Sequence, residues 1–215
     1  MRDEGPESEV INAPENLELL GRRKMVQLRH PLLVRLFHWT LAPLAVALVA
    51  TGLYITNPPQ TGGSMRTARK IHSLSGFLFT FGFIARLYYG ALRRDWRMIV
   101  PERSDLKKIP AFARYHLYLT EKKPKFRKYN VGQKFLYTFW PLAALFILPF
   151  GFFLYAPKVF ARPIKWIGGL NRIRNLIYLT TLVTAATIAG HIYLALTDSI
   201  GKLKSIFTGY YKRGT

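Results

Sequence analysis

The chain has 215 residues, half of them hydrophobic and 14% aromatic, which excludes intrinsic disorder for most of its length. It contains no cysteine, so disulfides, thiolate zinc sites, Cys-ligated iron-sulfur clusters and a cysteine nucleophile are excluded. A formal charge of +21 would point to a nucleic-acid partner if the basic residues formed a patch on a soluble domain. They sit instead between long apolar runs, so no nucleic-acid partner is expected.

The first 20 or so residues are acidic and polar, with Pro6 and Pro14, and lack the basic and apolar regions of a signal peptide. Residues 1–30 therefore read as a flexible arm. Four apolar runs follow, at about 36–55, 71–92, 135–156 and 175–197. A hydrocarbon core of ~30 Å needs ~20 helical residues, and each run is long enough to cross it. The first run is uncharged. The second carries only Arg86, whose side chain can snorkel to the nearer interface. The third contains Pro141 and Pro149, which a helix inside a bundle absorbs, and the fourth is rich in Thr and Ala, a composition suited to close packing. Trp39, Trp96, Trp140 and Trp166 read as interfacial anchors near span ends.

Orientation follows from the loops. The arm, the segment 93–134 and the tail hold twenty-three Lys and Arg, against eight in the two loops on the opposite side. The excess marks the cytoplasmic side, so both termini are expected there, with the basic loops resting on anionic headgroups. The expected fold class is all-α, an integral membrane four-helix bundle with N and C termini cytoplasmic. Its membrane domain spans residues 31–200, and 201–215 form a basic tail.

Three of the five histidines fall within or at the edge of spans, where an ionisable side chain is costly and is read as functional. His38 lies near the cytoplasmic start of the first span and His191 near the cytoplasmic end of the fourth. Because those spans run in opposite directions, the two imidazoles sit at similar depth. Without an accompanying carboxylate or thiolate, such a pair suits the axial positions of a haem iron better than zinc or calcium. His72 opens the second span at the opposite face. His30 and His116 lie on the cytoplasmic side, either solvated or able to deliver a proton.

The ordered stretches RLFHWTLAPLAVALVATGLYI, RKIHSLSG with RLYY, ARYHLYL, KYNVGQK and AGHIYLAL resemble the four-helix cytochrome b subunits of respiratory formate dehydrogenases and nickel-iron hydrogenases. They cover most of the chain from about 30 to 200. The resemblance implies haem b, with His38 and His191 ligating the cytoplasmic-side iron. It implies that His72 ligates an outer haem together with a histidine fourteen residues before His191. That position is Ile177, followed by Tyr178, so the second partner is missing. Three possibilities remain, in this order: no outer haem, an outer haem held by His72 alone, or a ligand donated by a partner subunit.

The resemblance also implies a quinone pocket beside the His191 haem, lined by Asn130, Gly132 and Gln133. An amide and an exposed backbone N–H can hydrogen-bond a quinone carbonyl, and glycine lets the ring approach. The same residues also read as a helix start with Asn130 as N-cap. The implied partners are an iron-sulfur subunit, a catalytic oxidoreductase subunit, the lipid bilayer and menaquinone or ubiquinone. The implied function is transfer of electrons from that iron-sulfur subunit to quinone in the cell membrane, with no substrate-dehydrogenase site in this chain. The alternatives are a quinol-oxidising anchor of a thiosulfate-type reductase and a non-haem membrane transporter or anchor.

Overall fold

The computed structural model describes residues 26–212 apart from 61, 123 and 127. Most of the expected N-terminal arm and the last three residues of the tail lie outside the described residues. Chain order is β1 (Val26–Leu28), α1 (Leu32–Thr56), α2 (Met65–Arg93), α3 (Trp96–Ile99), α4 (Arg103–Leu106), α5 (Ile109–His116), α6 (Val131–Tyr155), α7 (Ala161–Ile167), α8 (Leu170–Asp198), α9 (Ile200–Thr208) and β2 (Tyr210–Lys212).

The chain divides into two compact units. The larger, residues 36–197, contains nearly all of the four long helices. Each long helix covers its apolar run and begins before it. α2 starts where Ser64 caps it, accepting from Thr67 N at 3.3 Å. α6 starts at Asn130, whose side chain accepts from Gln133 N at 2.8 Å while Gln133 Oε1 accepts from Asn130 N at 3.1 Å. This reciprocal capping box satisfies two backbone donors that the helix leaves unpaired. Pro141 and Pro149 lie inside the unbroken 25-residue α6, and Pro43 lies inside α1.

Among the described residues three helices, α1, α6 and α8, are long and apolar enough to cross a membrane. α2 is as long as α8 but is interrupted by Arg66, Arg69, Lys70, His72 and Arg86. The apolar side chains face outward to a degree incompatible with water: Phe81 is 77% exposed and Leu142 60%. Side chains of this kind are stable only against lipid or another apolar surface.

The basic segment after α2 is not an open loop. It folds into α3, α4 and α5, and α3 and α5 pack on α6. Thr138 Oγ1 of α6 donates to Ile99 O at 3.2 Å. Arg86 does more than reach for an interface. It forms an ion pair with Asp95 at 2.9 Å just beyond the end of its helix, and the buried Gly90 lies beneath the pair.

The smaller unit comprises residues 1–35 and 198–215. The purely helical expectation needs a correction here, because β1 and β2 form a two-stranded antiparallel ribbon with Gln27 opposite Tyr211. Gly209 ends α9 at φ 88°, a conformation open to glycine without penalty. Its carbonyl accepts from both Arg29 N and His30 N, at 2.8 and 3.0 Å. Arg35 Nη1 donates to Phe207 O. Sequence periodicity missed the ribbon because three-residue strands are too short to show alternation.

Candidate functional site

The larger unit brings together two residues that are far apart in sequence. His38 on α1 and His191 on α8 face each other with ring centres 6.4 Å apart and planes at 50°. One metal atom bound at ~2 Å to a nitrogen of each ring would set the centres roughly 6 Å apart, so the observed separation accommodates it. The Nδ1 atoms of both rings are shielded and make no hydrogen bond. A buried, unsatisfied nitrogen is costly unless something else engages the ring. Among the described residues no three His, Cys, Asp or Glu side chains cluster to cage a metal ion. Two opposed imidazoles without carboxylates form the donor set of an axially ligated haem, and the residues fit that group.

The walls of this site come from α1, α6 and α8. Trp39 meets the His38 ring edge-on at 4.8 Å. Trp140 of α6 meets His191 edge-on at 5.0 Å, and its Nε1 donates to Thr187 Oγ1 at 3.0 Å, which in turn donates to Thr184 O. The interfacial reading of Trp140 is therefore corrected: this indole is turned into the bundle beside His191. Trp166, 93% exposed, has the exposure expected of an interfacial anchor. Tyr137, one turn before Trp140, also faces His191, at 5.9 Å, and stacks edge-on with Tyr129. Period-3 spacing of aromatics in an apolar run was the only sequence signal for this wall, and it is shared with every lipid-facing aromatic.

His72 is elsewhere. Thr51 Oγ1 donates to Ala47 O at 2.5 Å, so its lone pair is what faces His72 Nδ1 at 2.8 Å. With the hydroxyl proton on Ala47 O, the imidazole is the donor in that bond, in its Nδ1–H tautomer. Gly52 packs against the same ring, close to its Cε1.

Asn130, Gly132 and Gln133 form the first turn of α6. Asn130 and Gln133 are both buried, and their side-chain oxygens are committed to the capping box. A methyl carbon added at Gly132 would lie 2.6 Å from Phe112 Cζ and 3.2 Å from Leu194 Cδ1, so glycine is needed there to seat α5 and α8 against α6. Leu194 is one turn beyond His191, which puts this helix start at the same end of the larger unit as the facing histidines. His116 packs nearby, its ring 4.3 Å from Phe112 and 6.0 Å from Tyr193.

Next to the capping box is a buried ion pair that sequence reasoning missed. Lys134 Nζ donates to Asp105 Oδ2 at 2.7 Å, with Glu102 Oε1 at 3.9 Å. Burial alone would push the Asp105 carboxyl up. The Lys134 ammonium and the Glu102 N–H, which donates to the same oxygen at 2.8 Å, outweigh it and hold the group below the usual carboxylate range. The two charges are twenty-nine residues apart, so no local pattern announces the pair.

A family profile described as prokaryotic cytochrome b561 matches residues 29–209. The chain is also similar to proteins described as probable Ni/Fe-hydrogenase B-type cytochrome subunits. That of Azotobacter vinelandii is 25% identical over 197 residues, 81% of this chain and 82% of the relative. That of Cupriavidus necator is 22% identical over 195 residues, 80% of each. That of Rhodobacter capsulatus is 25% identical over 215 residues, covering 89% and 82%.

Proposed function

The chain belongs to the prokaryotic cytochrome b561 family, a family of helical membrane proteins that carry haem b, and from that premise we propose that it is the membrane-anchoring cytochrome subunit of a nickel-iron hydrogenase. It carries electrons between an iron-sulfur partner subunit and quinone. The hydrogenase assignment rests on the described relatives, and the haem assignment on the facing pair of His38 and His191, the single observation that carries the reading.

Bound haem supplies one-electron redox chemistry in a site dry enough to tune its potential. His38 and His191, on separate helices, would hold it, and such ligation would also tie α1 to α8. Trp140 limits water access to His191 and restrains its ring. The family resemblance assigns quinone reduction to the α6 start, where Asn130 and Gln133 are buried and the capping box takes up their side-chain oxygens, leaving their amide N–H groups as the donors for a quinone carbonyl.

A four-span topology with both termini cytoplasmic is supported by the ribbon in the smaller unit. Residues 26–28 and 210–212 are hydrogen-bonded to each other, so they lie on the same side of any membrane. The number of crossings between them is therefore even. If α1, α6 and α8 all cross, an even number requires α2 to cross with them, and the ion pair of Arg86 with Asp95 supports that reading. The twenty-three basic residues then mark the shared side as cytoplasmic, in the bacterial cell membrane. Residues 31–200 form the cytochrome domain and 201–215 its basic tail.

The test is haem content of the purified chain by pyridine haemochrome, with His38→Ala and His191→Ala alongside. Loss of the Soret band in either variant, with helical content retained, is the expected result. A wild-type protein without haem refutes the reading.

A further inference from the structure

We infer that this chain by itself holds a single haem, between His38 and His191, and that His72 is a hydrogen-bond donor joining α2 to α1 rather than an iron ligand. The inference deepens the proposed function and rests on its haem assignment. The resemblance to two-haem cytochromes makes a second site the default expectation, and the residues present do not fit it.

The depth of the second site follows from helix rise. Thr51, which holds His72, is thirteen residues beyond His38 on α1, or ~20 Å along the axis. The resemblance puts the α8 ligand fourteen residues before His191, ~21 Å away, while an equal thirteen-residue step reaches Tyr178, whose phenol would be an unusual partner for His72. Position 177 is isoleucine, which has no lone pair to offer iron. The sequence has five histidines and no cysteine, and among the described residues no histidine other than His72 is placed at that end. His116 packs against Tyr193 at the opposite end of the larger unit, and His30 belongs to the smaller unit. Met65 is on the helix that carries His72, two turns before it, and cannot sit across the ring from it. The bond between Nδ1 and Thr51 Oγ1 orients the imidazole between α1 and α2 and would do so with or without iron on the other nitrogen, so the case against a second haem rests on the missing partner across the ring. The bond is part-buried and joins α2 to α1.

One consequence concerns the partner. An electron donor docked at the Thr51–His72 end faces ~20 Å of apolar bundle before His38. The partner must therefore bring its own redox centre closer than a two-haem cytochrome would require.

The experiment is haem per polypeptide on the full-length, haem-loaded chain, by pyridine haemochrome with amino-acid quantification, for wild type, His72→Asn and His72→Leu. Asparagine places a donor where Nδ1 stands but is not a haem ligand. The expected result is one haem in the wild type and in His72→Asn, with similar thermal unfolding of the two, and a lower unfolding temperature for His72→Leu. If His72→Leu does not fold, the asparagine variant decides alone. Two haems in the wild type, falling to one in His72→Asn, overturn the inference while leaving the proposed function intact. A single haem that disappears in His72→Asn also overturns it. No haem in any sample refutes the haem assignment itself.

Discussion

Replacing Lys134 with methionine tests whether the buried pair at the start of α6 holds the loop helices in place. Both partners are largely excluded from solvent, with side-chain exposures of 7% and 10%, and the bond is 2.7 Å long. Removing one partner of a buried pair costs about 3–5 kcal/mol, because the remaining charge has neither water nor a counter-ion. Asp105 keeps the bond from Glu102 N, and Glu102 itself is more than half exposed, so the low end, about 3 kcal/mol, is expected. For a chain of this size that corresponds to a drop in unfolding temperature of about 6–12 °C. The double variant Lys134→Met with Asp105→Leu leaves no buried charge and should recover about 2 kcal/mol of the loss. The effect also has a pH signature. The folded carboxyl is held below its unfolded value of about 3.9, so the stabilisation is fully present above that pH and fades as pH falls through the folded value. Thermal unfolding in detergent at pH 7 and at pH 3 measures all of this. A single variant within about 0.5 kcal/mol of wild type, or a double variant as unstable as the single, would refute the reasoning.

Glycine substitutions in α6 should separate by sign. Gly132→Ala drives a methyl carbon into Phe112 and Leu194, an overpacking that costs about 1–3 kcal/mol. Gly151→Ala meets no atom within 4 Å and should be neutral or stabilising by up to about 1 kcal/mol, so equal unfolding temperatures for the two variants would contradict the packing described. Trp140→Phe keeps the ring beside His191 but removes the donor to Thr187, with an expected loss of about 0.5–1.5 kcal/mol and a shift in haem midpoint potential. Unchanged redox titration and unfolding curves would show that the indole is a bystander.

Much of this protein was legible in its sequence because the bilayer imposes simple rules. An apolar run of ~20 residues must become a helix, since nothing else satisfies its backbone in lipid. The four runs did so, and the histidines at 38 and 191 were paired by counting along antiparallel spans. The Asn-x-x-Gln spacing at 130–133 announced the capping box, a purely local structure. What only the tertiary structure decided depends on residues distant in sequence. Trp140 turns inward because Thr187, forty-seven residues on, accepts its N–H. Lys134 is buried rather than solvated because α4 brings Asp105 to it. His72 is set by Thr51, and β1 pairs with β2, a strand far along the chain. Periodicity and composition report the solvent each segment prefers, whereas these contacts arise from which side chains meet once the helices have packed, and that is a property of the three-dimensional arrangement alone.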